Sequence, residues 1–201
     1  MMSIQEIQDA QYSFPYHYIP YIENNGKGEK IVSHRYLDWS HEYYCYMTHL
    51  AKKINESNAK SILDIGCGEG VLLSLINTNI KKTGADTNRN AILWANAICQ
   101  DATFFCGDFK LINEQFDIVT LVETLEHIPD DYVAEFLKNA LNKLNVMGGR
   151  MYIQVPTVAR PVEKKHFRHY DLQLLTKQLN LTGIDYRIVN VEYLCKKTKL
   201  E

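Results

Sequence analysis

Five side chains in the second half of the chain are of the types that bind cations and move protons. Glu123-x-x-Glu126-His127 places two carboxylates and an imidazole close together. His166 and His169 follow in Lys164-Lys165-His166-Phe167-Arg168-His169-Tyr170. Carboxylate and imidazole together suit Mg2+ or a transition metal, with Glu123, Glu126, His127 and His166 as the ligand set and His169 as an alternative fourth ligand. His127, with an ordinary imidazole pKa near ~6.5, equally suits a general base that takes a proton from a hydroxyl. A second constellation stands earlier, in Asp64-Ile65-Gly66-Cys67-Gly68-Glu69-Gly70. Its glycines admit positive φ and let a ligand come close to the backbone. Asp86 stands twenty residues beyond Gly66, where an acid can hold the hydroxyls of a ribose.

Both constellations need a scaffold, and the hydropathy pattern supplies one. Apolar runs predict strands at Ser61–Ile65, Lys82–Asp86, Thr103–Cys106, Phe116–Val122, Arg150–Val155 and Tyr186–Leu194. Helical spacing predicts helices at Leu37–Ile54, Gly70–Ile76, Arg89–Cys99, Asp130–Leu144 and Asp171–Leu179. Asp130 and Asp131 would favour the start of one helix through its dipole, and Asp171 would cap another. Strands alternating with helices imply an α/β fold: a Rossmann-like, doubly wound, mostly parallel sheet with helices on both faces. Such sheets bind ligands at the carboxyl ends of their strands. The Gly-rich turn, Glu123–His127 and the His166–His169 loop each follow a strand, so all three fall on that edge. Residues 1–58 read as an aromatic, partly helical cap or lid, and residues 59–201 as the nucleotide-binding domain.

The ligand at the Gly-rich turn is defined by what surrounds it. Nicotinamide cofactors need a third small residue so that helix and strand pack closely, and Val71 occupies that position. Asp64 would sit badly beside a pyrophosphate but suits an α-amino group. S-adenosylmethionine (SAM) carries both an amino acid and a ribose. In order, Leu63–Gly70, Gly84-Ala85-Asp86, Cys106-Gly107-Asp108-Phe109, Phe116–Pro129 and Leu144–Pro156 resemble the successive motifs of the class I SAM-dependent methyltransferases, over roughly residues 60–194.

That resemblance implies SAM as methyl donor. It implies Asp64, Gly66, Cys67, Gly68, Thr87 and Glu123 around the donor, Asp86 on the ribose, and Asp108 with Phe109 at the adenine. The segment before the first strand would close over SAM, with Arg35 meeting its carboxylate and Phe14–Tyr18 and Ser33–Tyr36 contributing tyrosines. The Glu-x-x-Glu-His pattern is similar to that of the ubiquinone-biosynthesis O-methyltransferases and of small-RNA 3′-terminal 2′-O-methyltransferases. It implies methyl transfer to a hydroxyl of a small molecule, such as a sugar or nucleotide-linked metabolite, with His127, Glu123, Glu126, His166 and His169 placing the acceptor or a divalent metal. The alternatives are a metal-dependent RNA-end methyltransferase and a catalytically silent SAM-binding partner subunit.

Composition narrows these readings. The net charge of −2 and the run His166-Phe-Arg-His-Tyr170, where the RNA enzymes carry acidic and aromatic residues, argue against nucleic acid. From Arg150 onward ten Lys/Arg face five Asp/Glu, so Arg160, Lys164, Lys165 and Arg168 are candidates for a phosphate on the acceptor. Five cysteines without a C-x-x-C pair indicate reduced thiols rather than disulfides or zinc. No apolar run reaches ~18 residues, and no signal peptide is evident, so a cytoplasmic protein away from membranes is expected. The resemblance also implies a seventh, antiparallel strand hairpinned to the sixth. Only Cys195–Glu201 follow Leu194, which leaves a short or open sheet edge, blocked by lysines or closed by a homodimer.

Overall fold

The computed structural model describes residues 3–13, 21–24, 29–32 and 37–194. Five parallel strands form the sheet: β3 (Ser61–Ile65), β4 (Lys81–Asp86), β5 (Thr103–Cys106), β6 (Ile118–Val122) and β7 (Arg150–Gln154), in the order β5-β4-β3-β6-β7. The order reverses beside β3, which makes the carboxyl end of β3 a switch point where ligands bind. β1 (Tyr21–Asn24) and β2 (Glu29–Val32) form a separate antiparallel pair, Tyr21 opposite Val32 and Asn24 opposite Glu29. The helices are α1 (Ile4–Asp9), α2 (Leu37–Asn55), α3 (Val71–Ser74), α4 (Arg89–Ile98), α5 (Val133–Leu141) and α6 (Leu172–Asn180). The expected α/β doubly wound architecture is therefore present. No helix among the described residues is long and apolar enough to cross a membrane.

Side-chain alternation along the strands divides the core in two. Ile62 and Ile118 face one layer, with Met47, Leu50, Ala51 and Ile54 of α2 and Val71, Leu72 and Leu73. Leu63, Ile65, Val119 and Leu121 face the other, with Val133, Leu137 and Ala140 of α5, Leu179 of α6, and Tyr170. The burial of α2 in the first layer makes it a packing partner of the sheet.

At the amino end of the sheet Asp117 binds three donors: the backbone N–H of Lys60 at 2.6 Å, that of Ser61 at 3.1 Å, and Asn145 Nδ2 at 2.6 Å. These bonds, the Lys60 N–H foremost, hold its carboxyl below the usual range. A depressed carboxylate stabilises the fold above its unfolded pKa, and that contribution is lost as pH falls through its folded value. Asp117→Ala is expected to lower stability by ~2 kcal/mol. Urea unfolding would measure this, and the difference from wild type should shrink toward pH 3.

Two local expectations are corrected. α5 starts at Val133, with Tyr132 at its N-cap and no side-chain cap bond. Asp130 instead receives Arg168 Nε at 2.6 Å. The expected sixth strand at Tyr186–Leu194 does not form, and residues 184–194 carry no regular structure. Val189 and Tyr193 stand 74% and 72% exposed, because alternating apolar residues make a strand only against a ladder partner and a face to cover. The segment is held by Glu192, 2.7 Å from both His49 Nε2 and Lys53 Nζ on α2. Residues 195–201 lie outside the described residues.

Candidate active site

The turn after β3 is built on left-handed glycines, with φ of 75° at Gly66, 52° at Gly68 and 75° at Gly70. The N–H groups of Gly66 and Cys67 both donate to the Ala85 carbonyl, at 2.8 and 3.1 Å. Asp86, at the end of β4, accepts from Gly68 N at 3.0 Å and from Asn88 N at 2.8 Å. One carboxylate thus ties the Gly-rich turn to the start of α4, which Asn88 caps through bonds from Asn90 N and Ala91 N. Burial raises the pKa of Asp86. Asp64 lies beneath the turn rather than on it. It is 3% exposed, accepts from Thr120 Oγ1 at 2.6 Å, and burial pushes it up to about 7.

The remaining donor-side residues divide. Thr87 is exposed at the rim. Asp108 is exposed and accepts from Lys110 N at 2.9 Å. The Phe109 ring points into the core, 5.2 Å from Phe136 in an edge-on contact, so only its backbone is available at the surface. Arg35, Phe14–Tyr18 and Ser33–Tyr36 lie outside the described residues. Among the described residues, Tyr12 stands against the Gly-rich turn. It ends the 3-10 turn that follows α1, and a Cβ on Gly68 would come within 2.9 Å of its hydroxyl. Burial, then the charges of Glu69 and Asp86, raise its phenol well above the usual value. The sequence shows Tyr12 only as one of thirteen tyrosines. Asp9 accepts from Asn88 Nδ2 at 2.8 Å and fixes the strap that carries it.

The second half of the site begins where β6 ends. Glu123 has φ of 50°, while its N–H continues the ladder to Gln154 O at 3.0 Å. A left-handed non-glycine residue costs roughly 1–2 kcal/mol. It turns the chain into the 3-10 segment Leu125–His127 and sends Glu126 inward, where it is 0% exposed. The loop after β7 folds down over this turn. Phe167 N donates to Glu126 O at 2.8 Å, and Arg168 donates to the carbonyls of Leu125 and Ile128. Arg168 is buried by these bonds and is removed from the candidate phosphate contacts, whereas Arg160 and Lys164 remain exposed.

Glu126, His127 and His166 come together, each offering a ligand atom within 4.8 Å of the others. The His127 and His166 ring centroids are 4.8 Å apart and edge-on. His127 Nδ1 contacts the Lys165 carbonyl at 3.0 Å, and its Nε2 lies 3.9 Å from Glu126 Oε1. His166 Nδ1 contacts His169 Nε2 at 2.8 Å, and His169 Nδ1 contacts the Arg160 carbonyl at 3.0 Å. His169 therefore stands behind His166. Neither oxygen of Glu126 accepts a hydrogen bond from a described residue. Burial, then the charge of Glu123, lifts Glu126 well above 4.5. Burial raises Glu123 to about 7, opposed by Lys165. Burial, reinforced by the Lys165 charge, depresses His127 to about 4. The two halves of the site abut: a Cβ on Gly66 would fall 2.5 Å from Thr124 Oγ1.

Order of strands, left-handed glycine turn and the acid that ends β4 define a class I SAM-dependent methyltransferase. The chain matches the methyltransferase-domain family over residues 36–187 and belongs to it. It is 31% identical over 117 residues to sphingolipid C9-methyltransferase 1 of Gibberella zeae, covering 53% of this chain and 23% of that protein. It is 32% identical over 111 residues to a ubiquinone biosynthesis O-methyltransferase of Glaesserella parasuis, covering 48% of this chain and 47% of the relative. The matches thus span less than half the length of these curated relatives. Among solved structures, a putative O-methyltransferase of Nostoc punctiforme superposes with a TM-score of 0.60 at 16% identity, over 74% of this chain and 52% of that one. That likeness concerns the fold.

Proposed function

We propose that this protein transfers the methyl group of SAM to a hydroxyl of a small-molecule acceptor, at a site where Glu126, His127 and His166, with Glu123, hold a divalent metal. One observation carries the reading. A carboxylate that is 0% exposed, with no described donor on either oxygen, faces two imidazoles. An unpaired buried carboxylate costs ~1–3 kcal/mol or more, and a cation satisfies it together with the imidazole lone pairs. A cation held there would supply Lewis acidity that lowers the pKa of an acceptor hydroxyl. His127 fits the ligand role better than that of base. Its Nδ1 is engaged by the Lys165 carbonyl, and a pKa near 4 makes it a weak proton acceptor at neutral pH.

On the donor side, the Gly66–Gly70 turn receives the methionine portion of SAM and Asp86 the ribose, each carboxylate oxygen retaining a lone pair after its backbone bond. Asp108 takes the adenine edge, and Asp64 supports the turn from below. Tyr12 closes over the turn and excludes water. Arg160 and Lys164 give the acceptor side positive charge suited to a phosphate. Similarity to small-molecule O-methyltransferases supports the same acceptor class.

Asp86→Ala is expected to weaken SAM binding by ~10–100-fold, the value of a charge-assisted hydrogen bond or two. Calorimetric titration measures it, and unchanged affinity would remove the ribose assignment. Turnover with sugars, nucleotide-sugars, catechols and short RNAs, before and after chelator dialysis, tests the whole reading. Methylation of RNA alone would transfer the site to nucleic-acid ends, and turnover indifferent to metal would remove the cation.

A further inference from the structure

We infer that His169 is a positioning residue that fixes the tautomer of His166 and so leaves His166 Nε2 as the nitrogen presented to a metal; this rests on the cation reading only for its consequence, not for the tautomer itself. The direction of the relay follows from its end. The Arg160 carbonyl can only accept, so His169 Nδ1, 3.0 Å away, carries the proton of that bond. In a neutral imidazole the other nitrogen then has a lone pair. His169 Nε2 is therefore an acceptor, and His166 Nδ1, 2.8 Å from it, must donate. With that proton on Nδ1, Nε2 of neutral His166 carries a lone pair and no proton. For the neutral pair no other arrangement satisfies both bonds.

His127 reaches the same state by a shorter route. Its Nδ1 contacts the Lys165 carbonyl directly at 3.0 Å, so its Nε2, the atom nearest Glu126, likewise carries no proton. Two imidazoles thus keep the same kind of nitrogen unprotonated, one fastened to a carbonyl and one through an interposed imidazole. Fixing the tautomer through the distal nitrogen is the usual way a protein orients metal-bound histidine, and loss of such a partner commonly lowers metal affinity 10–100-fold. His169 is 5% exposed and belongs to the loop that also supplies His166, so its role is local.

The test begins on the metal-free protein with 15N–1H correlation of the imidazole rings. His127, His166 and His169 are expected as Nδ1–H tautomers, and His166 should lose that preference in His169→Leu. His169→Gln keeps an acceptor for His166 and a donor for Arg160 O, and should retain the Nδ1–H form. Co2+ titration followed by its visible absorption should show affinity lowered ~10–100-fold in His169→Leu and within about threefold of wild type in His169→Gln, with SAM affinity unchanged in both. An Nε2–H tautomer for His166 in wild type would overturn the relay. So would equal Co2+ losses in the Leu and Gln variants, or none in either. Failure of wild type to bind Co2+ through His166, judged against His166→Ala, would defeat the cation reading while leaving the tautomer result standing.

Discussion

Glu126→Leu is expected to make the metal-free protein more stable and to abolish its activity. The wild-type side chain is fully buried, and its oxygens accept no bond from a described residue. Leucine of similar volume removes that penalty and packs against the apolar residues nearby, for a gain of ~1–3 kcal/mol. In a chain of this size each kcal/mol moves the melting midpoint by about 2–4 °C. The gain depends on pH in a definite sense. Glu126 titrates above its ordinary 4.5, so between those values the folded state binds more protons than the unfolded one. Wild-type stability then falls as pH rises above 4.5, and the advantage of the leucine variant widens in step. If Glu126 is the metal ligand proposed above, saturating metal should reverse the order, since a ligand at 100 times its Kd stabilises by ~2.7 kcal/mol and the variant would lack one ligand. Methyl transfer should fall by about 100-fold or more. Calorimetric melts with and without Mn2+, at pH 5 and pH 8, check all of this. A variant less stable than wild type in chelator would show that Glu126 has a structural partner.

Gly66→Ala is the second large effect, and its cost has two separable parts. The left-handed φ of 75° costs alanine roughly 1–2 kcal/mol. The new Cβ would also stand 2.5 Å from Thr124 Oγ1 and 2.9 Å from its Cγ2. Thr124 cannot swing aside without giving up its bonds to the carbonyls of Ile65 and Val122, both at 3.1 Å. The sum is expected near ~3 kcal/mol, with SAM affinity reduced at least ~10-fold. The double variant Gly66→Ala/Thr124→Ala removes the clash and leaves the backbone strain. It should be more stable than the two single losses added together by ~1–2 kcal/mol, the signature of residues in contact. Additive losses in urea unfolding would mean that the turn relaxes away from Thr124.

The parts of the fold that were legible in the sequence are those fixed by local pattern. Thr103–Cys106 and Ser61–Ile65 are strands at the expected residues because short apolar runs ended by a turn admit little else. Asp171 caps α6 as its position before the periodic run suggested. Long-range pairing decided the rest. Asp130 is claimed by Arg168, far along the chain, so the helix it was expected to start begins at Val133 instead. Residues 186–194 alternate well enough for a strand, yet no partner strand among the described residues receives them. The β1–β2 pair was hidden for the opposite reason, since Tyr21–Asn24 and Glu29–Val32 are short and half polar. In the site, residue types announced Glu126, His127 and His166, but the complete burial of Glu126 and the station of His169 behind His166 depend on how the loop folds down. The burial of the Phe109 ring was not legible either, because its neighbour Asp108 marks the surface while the ring itself packs in the core.

The way that loop is fastened has a consequence for how the protein can change. Phe167 N bonds Glu126 O, the Lys165 carbonyl bonds His127, and the Arg160 carbonyl bonds His169. Main-chain atoms make these attachments, and they do not depend on which side chain each of those three residues carries. Glu163, Lys164 and Phe167 meanwhile stand exposed. On the proposed function, substitution along this rim would alter acceptor preference while the buried cluster keeps its geometry, so that drift in substrate choice and preservation of the cluster would be separable within a single loop.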